Sequence, residues 1–302
     1  MKRHLAAVIV IAILVAPAAG CANSSGSVEQ TGTLDLYLAD APIDAASVEA
    51  VYIKIDGIQY NNQGEWVTFE DFAGPQEYDL LELTGGTSAL LGNLALSAGQ
   101  YNQIRFMLDV AEQGQNPTNP GCYIEFCNGS TAPLFVPSSG SSGYKATGAF
   151  QVPINGSVEI TVDFDVRKAV TVTGGSGRYI LRPTLRLIVN DEAGKIGGSI
   201  ANLSGYTDIA VYAYEDSSWQ ASEADDPAAG EARFPGAVTS DMMGGEADYM
   251  LAFLAAGTYD LVVAGFDGDT FGEVLGFIPD VEVESKKKTV VTTSTDSLES
   301  AL

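Results

Sequence analysis

The sequence has 302 residues, of which 46% are hydrophobic and 18% are charged, and its formal net charge is −24. This much apolar material can bury a core, which excludes a disordered or collagen-like chain. The excess of acidic residues argues against nucleic-acid binding, because phosphate contacts depend on Lys and Arg. The single histidine is His4, which lies in the segment interpreted below as a leader. A mature chain without imidazole cannot use a Ser-His-Asp or Cys-His mechanism, or bind zinc through histidine.

The first 20 residues have the pattern of an export signal. Lys2 and Arg3 precede an apolar run, Leu5–Val15, that is too short to span a bilayer, and small residues then lead to Cys21. This pattern resembles a bacterial lipoprotein signal, and an ordinary secretory signal is the alternative. The resemblance implies a lipidated Cys21 on a tether of residues 21–31, and thus an exported protein anchored to the cell envelope. In a Gram-negative cell the anchor would lie in the outer membrane.

Strand patterns dominate the rest of the chain. Short runs of Val, Ile, Thr and Tyr are separated by Gly, Asn and Asp, and the clearest alternation is Val158–Val172. Helical periodicity allows at most one short helix, at Leu80–Leu91. We predict an all-β protein with two antiparallel β-sandwich domains in tandem, of the immunoglobulin or transthyretin-like kind. The predicted domains are residues 32–190 and 195–294, followed by a tail at residues 295–302.

Both predicted domains contain the phrase Leu-x-Ala-Gly-x-Tyr, at Leu96–Tyr101 and at Leu254–Tyr259. We predict the same corner in both, where glycine permits the turn and tyrosine packs over it. Six residues are too few to indicate a duplication.

The first predicted domain resembles a bacterial family known only as a domain of unknown function, the 4382 family, which is common in envelope lipoproteins. The resemblance spans about residues 33–190 and implies no activity. It rests on four phrases in order: Leu38–Pro42 with Asp44, Asp79–Thr84, Leu96–Arg105, and Val162–Lys168 followed by Tyr179–Pro183.

The second predicted domain is similar to the carboxypeptidase-regulatory or transthyretin-like sandwich, which belongs to the carbohydrate-binding-like fold group. The segments Ile196–Ile200 and Leu251–Val263 carry this similarity. The fold label suggests contact with glycans, although a fold does not determine function.

Cys122 and Cys127 are the two cysteines that follow the predicted anchor. Because an exported chain favours a disulfide over thiols, we predict a bond between them. A redox-active pair is the alternative, but the spacing is not Cys-x-x-Cys and no base lies nearby in the sequence.

Asp163 and Asp165 alternate on one predicted strand, and Arg178, Arg182 and Arg186 alternate on the strand that follows. This arrangement predicts cross-strand ion pairs. An acid–base pair or a calcium site is the alternative for the two carboxylates.

Asp267, Asp269 and Glu273 form the strongest calcium candidate, because hard cations bind several oxygens close together. Their spacing is not that of an EF-hand, and a solvated hairpin turn is the alternative. No other cofactor is predicted.

A sugar-binding platform needs an exposed aromatic ring. Trp219 lies among polar residues after a predicted strand, and Tyr212 and Tyr214 alternate on that strand, so we predict these three as a glycan platform. Trp66 lies inside a predicted strand after a tight turn, which favours burial.

We therefore predict a non-catalytic, lipid-anchored envelope protein that binds an envelope or surface polysaccharide. The alternative is a structural or adhesive protein that docks another envelope protein through sheet edges. A carboxylate-based hydrolase would require two buried carboxylates facing each other across a cleft.

Overall fold

A computed structural model describes residues 30–300, except 42–46, 112–119, 137–141, 174–176, 183, 229 and 245–247. The described residues confirm the all-β class, with a single α-helix of four residues, Val166–Ala169 (α1). The N-terminal part, residues 30–189, contains thirteen described strands: β1 (Thr31–Ala39), β2 (Val48–Asn62), β3 (Glu65–Thr68), β4 (Gln76–Asp79), β5 (Ala89–Ser97), β6 (Gly99–Leu108), β7 (Tyr123–Phe126), β8 (Thr131–Phe135), β9 (Tyr144–Val152), β10 (Ser157–Asp163), β11 (Val170–Val172), β12 (Tyr179–Leu181) and β13 (Arg186–Val189).

The C-terminal part, residues 193–300, contains seven described strands: β14 (Ala193–Ala201), β15 (Asp208–Glu215), β16 (Thr239–Gly244), β17 (Asp248–Ala255), β18 (Gly257–Asp267), β19 (Thr270–Val283) and β20 (Lys288–Ser294). Four short 3-10 helices complete the described elements: Leu80–Leu83, Asn190–Glu192, Ala221–Ala224 and Thr295–Ser297. Among the described helices, none is long and apolar enough to cross a membrane.

The N-terminal strands form one sheet in the order β11-β12-β8-β7-β2-β6-β9-β13-β10-β1-β5, and β3 and β4 pair with β2. Although β1 and β2 lie far apart in this order, their apolar residues share a single buried cluster. Leu34, Leu36 and Leu38 of β1 pack in the same core as Ile53 and Ile58 of β2. The sheet therefore curves over one core, and its alternate residues point to solvent.

The predicted pairing needs one correction, because four described strand pairs are parallel: β1 with β10, β12 with β8, β13 with β9, and β14 with β20. Parallel neighbours require long crossover connections, and these cannot be recognised from alternation within a single strand. The sheets are therefore mixed.

Two predicted elements differ in their boundaries. The long strand predicted at Val158–Val172 ends at Asp163, because Asp165 adopts a left-handed conformation (φ 37°) and α1 follows. The predicted short helix is only a 3-10 turn, Leu80–Leu83, whose N-terminus is capped by the Asp79 carboxylate accepting from the Leu81 N–H.

The C-terminal part packs the sheet β17-β14-β20 against the sheet β16-β15-β18-β19. Ile196 and Leu251 of the first sheet meet Val211 and Val263 of the second in a buried cluster. The opposite face of the second sheet is also covered, because Phe234 packs there against alternate residues of β15 and β18. This sheet is therefore buried on both faces.

The predicted corner is confirmed at its tyrosines. The Tyr101 hydroxyl donates to the Ser97 carbonyl at 2.7 Å, and the Tyr259 hydroxyl donates to the Ala255 carbonyl at 3.0 Å. In both cases the acceptor lies four residues earlier in the chain.

Candidate functional site

The structure corrects the predicted glycan platform in the C-terminal part. Tyr212 and Tyr214 have no exposed surface, and Trp219 packs against the cluster that contains them. Tyr214 also donates to the Glu223 carboxylate at 2.9 Å. The uninterrupted apolar run Ile209–Tyr214 indicated this result, since a strand without polar alternation is buried on both faces.

The three predicted calcium ligands bind different groups of the protein. Asp267 accepts from the Thr207 N–H at 3.2 Å, Asp269 from the Ser47 N–H at 2.9 Å, and Glu273 from the Tyr206 hydroxyl at 3.4 Å. In the described part of the chain, they do not form a cluster with metal-ligand spacing. Hydrogen bonding to neighbouring loops separates their carboxylates.

The structure instead brings together Asp216, Asp260 and Asp280, whose ligand oxygens lie within 4.8 Å of one another. Both oxygens of Asp260 already accept backbone N–H groups, from Ser217 at 2.9 Å and from Asp280 at 3.2 Å. This cluster therefore orders two turns.

The predicted disulfide is also corrected, because neither Cys122 nor Cys127 is disulfide-bonded. Strand β7 lies between them, and five residues of extended chain span about 16 Å, well beyond disulfide reach. Cys122 is buried, and this burial raises the pKa of its thiol to about 12. Cys127 is exposed. The predicted lipidation site, Cys21, lies outside the described residues.

A buried group of charged side chains lies where the N-terminal part meets the C-terminal part. The predicted cross-strand ion pair is confirmed between Asp163 and Arg186, which are register partners on β10 and β13. Asp165 pairs instead with two cations of α1, at 2.9 Å from Lys168 and 3.4 Å from Arg167. We call these five residues together with Asp40 the buried charge cluster.

Asp40 is the acid of this cluster that forms no ion pair with a described cation. Its Oδ1 accepts from the Val166 N–H at 2.8 Å, whereas its Oδ2 has no hydrogen-bond partner among the described residues. Burial, followed by the nearby charge of Asp163, raises the pKa of the Asp40 carboxyl well above its ordinary value. Such a group favours its protonated form.

The buried charge cluster connects the two parts of the molecule. Arg167 donates to the carbonyls of Phe234 and Ala237 at 2.8 and 3.2 Å, and Lys168 donates to the Ala237 carbonyl at 2.7 Å. The Asp165 carboxylate, a candidate acid or base by sequence, therefore orients the two cations that bind the C-terminal part.

A cleft of about 440 Å³ lies beside this junction, between β13 and the ends of β15, β17 and β18. Its lining includes the exposed carboxylates Glu192 and Glu215, and two of its polar side chains are engaged within the protein. Arg186 binds Asp163, and the Tyr259 hydroxyl binds the Ala255 carbonyl. Much of the remaining lining is aliphatic, including Leu185, Leu187 and Val238. The carboxylates of Glu192 and Glu215 make this cleft unfavourable for an anionic ligand.

The outer face of the strands β3, β2, β6 and β9 presents a second surface, which adjoins the cleft at Thr147. Register and alternation place eight side chains on this face, which we call the Trp66 face: Gln59, Asn61, Trp66, Thr68, Gln103, Arg105, Lys145 and Thr147. Their neighbours along each strand, such as Ile104 and Ala146, point into the core. The face spans about 14 Å across the four strands.

Contacts within the Trp66 face fix its central side chains. Arg105 donates through Nε to Gln59 at 2.6 Å, and Gln59 donates to Thr68 at 3.0 Å. The Arg105 guanidinium lies over the Trp66 ring, 4.2 Å from its centroid, and the Lys145 ammonium is 5.6 Å from the same centroid. Trp66 is half-buried, rather than buried as predicted.

The sequence analysis did not identify Arg105 and Lys145 as site residues. The alternation of Gln103 and Arg105 with Ile104 and Phe106 was a usable signal, because it assigns both polar residues to an outer face. The pairing of β6 with β9 was not recognisable from either strand alone.

Residues 31–183 match the sequence profile of a domain of unknown function, DUF4382. This segment is half of the chain, and the chain therefore belongs to the DUF4382 family. No curated protein matches the sequence significantly.

The solved structures similar to this chain include three bacterial proteins, and all three likenesses are distant. The minor pilin GBS52 of Streptococcus agalactiae is 11% identical with a TM-score of 0.19, over 86% of this chain and 94% of the pilin. The shaft pilin SpaA of Lactobacillus rhamnosus GG is 9% identical with a TM-score of 0.22, over 89% of this chain and 99% of the pilin. The TIE protein of Bacillus anthracis is 10% identical with a TM-score of 0.19, over 87% of this chain and 34% of that protein. At these TM-scores the likenesses do not bear on function.

Proposed function

We propose that this chain is a non-catalytic, lipid-anchored protein of the bacterial cell envelope that binds a polysaccharide on its Trp66 face. The observation that carries this proposal is the combination, on one open sheet face, of a half-buried indole ring with amide, hydroxyl and cationic side chains. Sugars present hydroxyl groups for such side chains, and an apolar ring face for the side of the indole that Arg105 does not cover.

The non-catalytic part of the proposal is supported by the way in which the buried carboxylates are used. Asp163 and Asp165 are held in ion pairs, and Asp40 accepts a backbone N–H. A general acid or base must lie within hydrogen-bond reach of a substrate. These three side chains face protein groups instead.

The location of the protein rests on its first residues. We propose that Cys21 carries lipid and that residues 22–30 act as a tether, because small residues precede the cysteine and a polar segment follows it. We further propose that residues 32–190 and 195–294 are separate domains. The second would be a carboxypeptidase-regulatory-like sandwich, supported by two facing sheets that share one apolar cluster.

The two tryptophans of the chain provide a matched test of polysaccharide binding. The full chain in detergent, together with Trp66→Ala and Trp219→Ala, would be run through native gels containing a panel of neutral and acidic polysaccharides. We expect at least one polymer to retard the wild type and Trp219→Ala, and Trp66→Ala to migrate freely. Equal retardation of both variants, or no retardation of the wild type, would contradict the proposal. Thermal unfolding of each variant controls for loss of fold.

The anchor is tested separately by Cys21→Ser. Cells fed a radiolabelled or alkyne-tagged fatty acid should label the wild type and not the variant, and the variant should leave the membrane fraction. If both proteins are labelled equally, Cys21 is not the lipidated residue.

A second candidate function is docking of another envelope protein through sheet edges. The edge strands β5 and β20 favour it, because Leu90 is 48% exposed and Val290 is 67% exposed. Unpaired edges with exposed apolar residues are templates for strand addition. Cross-linking in intact cells should then yield one partner that Val290→Lys abolishes, whereas Trp66→Ala leaves it unchanged.

A further inference from the structure

The Trp66 face contains two like charges in direct opposition. Arg105 on β6 and Lys145 on β9 are register partners, and they project from the same face of the sheet. Like charges placed directly opposite each other on neighbouring strands reduce stability. The Trp66 ring, which lies against both cations, offsets part of this cost, and a broken local rule of this kind marks a candidate functional position.

The other cations of the N-terminal part are mostly neutralised. Five of them form ion pairs with carboxylates: Lys54, Arg167, Lys168, Arg182 and Arg186. Arg105 and Lys145 form none with any residue that the structure describes. Lys195 and Lys288 of the C-terminal part are also opposed register partners that form no ion pair with a described residue, but only the Arg105–Lys145 pair has an indole ring beside it among the described residues.

None of the eight residues of the Trp66 face is acidic, so no carboxylate on this face neutralises the two cations. Arg105 is also held in place before any ligand arrives. Gln59 accepts from its Nε, and Trp66 lies against its guanidinium. A guanidinium with a fixed orientation binds a planar anion with little loss of side-chain entropy.

We propose that the Trp66 face binds a carboxylate-bearing polysaccharide, whose uronate groups lie between Arg105 and Lys145 while its sugar hydroxyls contact the flanking amides. This proposal rests on the proposed function and specifies its ligand class. A carboxylate between the two cations neutralises their repulsion and forms charge-assisted hydrogen bonds with both. The flat face across four strands suits an extended chain. The negative charge elsewhere on the protein is screened within about 8 Å at physiological ionic strength.

The test compares one polymer in two charge states. Polygalacturonate and its fully methyl-esterified form have the same backbone, and only the first carries carboxylates. Their affinities for the full chain in detergent would be measured by isothermal titration calorimetry at physiological and at high salt. The variants are Arg105→Gln and Lys145→Gln. Lys288→Gln is the matched control, because it removes one exposed charge far from the Trp66 face.

We expect the wild type to bind polygalacturonate at least about tenfold more tightly than the ester, which corresponds to one charge-assisted hydrogen bond. Arg105→Gln and Lys145→Gln should each lose about that factor for the acid form alone, and Lys288→Gln should stay within about twofold. High salt should weaken binding of the acid form.

Equal affinity for the acid and the ester would overturn this proposal and leave polysaccharide binding intact. Unchanged affinity in both glutamine variants would do the same. If the wild type binds neither polymer and only polysaccharides without carboxylates retard it in the gel panel, this ligand class is wrong and the proposed function stands. If the glutamine variants alter self-association instead, the face binds a second copy of the chain.

Discussion

The two parts of the molecule share a corner but differ in what they bury. Tyr101 and Tyr259 each lie near the start of the strand after a tight turn between two strands that do not pair with each other, and each donates to the carbonyl four residues earlier. The N-terminal part then buries three carboxylates with their cations, whereas the C-terminal part buries apolar and aromatic side chains on both faces of one sheet. The same tyrosine hydrogen bond therefore occurs beside a core that contains charged groups and beside one that is apolar.

This difference separates two uses of charge. In the N-terminal part, inward-facing cations such as Arg167 and Lys168 join the two parts of the molecule, whereas outward-facing Arg105 and Lys145 remain without carboxylate partners. The C-terminal part has five basic residues against 21 acidic ones from residue 191 onward. The larger excess of acids makes recognition of an anion less favourable in the C-terminal part.

The largest expected effect comes from breaking the buried charge cluster. Asp165→Ala leaves the buried Arg167 and the half-buried Lys168 without their carboxylate, which should lower the free energy of unfolding by about 3–5 kcal/mol. Glu231→Ala removes an exposed partner of Arg182 and should cost less than about 1 kcal/mol. Urea unfolding followed by circular dichroism measures both. Similar losses in the two variants would show that the cluster does not stabilise the junction.

A smaller effect is expected from Asp40 and depends on pH. Because burial raises the pKa of Asp40 in the folded state, the folded protein retains this proton at pH values where the unfolded chain has released it. Its contribution to stability is complete below about pH 4 and is lost as the pH rises through the folded pKa. As the pH rises, the free energy of unfolding of the wild type should therefore fall relative to that of Asp40→Asn, by at most about 1.4 kcal/mol per pH unit. Urea titrations from pH 4 to 8 measure the difference, and a difference that is constant or rises with pH contradicts this assignment.

The corner should give a modest and equal effect in both parts. Tyr101→Phe and Tyr259→Phe each remove one hydroxyl–carbonyl hydrogen bond, at a cost of about 0.5–1.5 kcal/mol. Thermal unfolding of the two variants compares the corners directly. A loss confined to one variant would mean that the two tyrosines have different roles.

The smallest expected effect is a difference in the chemical labelling of the two cysteines, which does not alter stability. In the Cys21→Ser chain, iodoacetamide should label exposed Cys127 while the protein is folded, and Cys122 only after unfolding, because burial raises the pKa of Cys122 to about 12. Mass spectrometry of the peptides counts the labels. A peptide mass two daltons below that of the dithiol would instead restore the predicted disulfide.

Some of this structure was predictable from short-range patterns. The all-β class follows from the alternation of residues such as Ile160 and Val162, and the ion pair of Asp163 with Arg186 follows from two charged strands in sequence. The corner at Tyr101 and Tyr259 follows from a repeated phrase. Each of these signals lies within one strand or within a short stretch of the sequence.

Features that depend on distant pairing were not predictable in this way. The predicted glycan platform was wrong at Tyr212 and Tyr214, because Phe234 and its neighbours cover that sheet face, which the polar residues around Trp219 do not reveal. Arg105 and Lys145 face each other only because β6 pairs with β9 across 40 residues of sequence. A candidate binding surface on a sheet depends on strand register, which a single sequence does not supply.

The most direct measurement uses the fluorescence of the two tryptophans one at a time. Trp219→Phe leaves Trp66 as the sole indole of the chain, and Trp66→Phe leaves Trp219. We expect titration with polygalacturonate to shift the emission of the Trp66-only protein saturably and to leave the Trp219-only protein unchanged. A saturable shift in the Trp219-only protein, with none in the Trp66-only protein, would place polysaccharide binding in the C-terminal part and contradict the central claim.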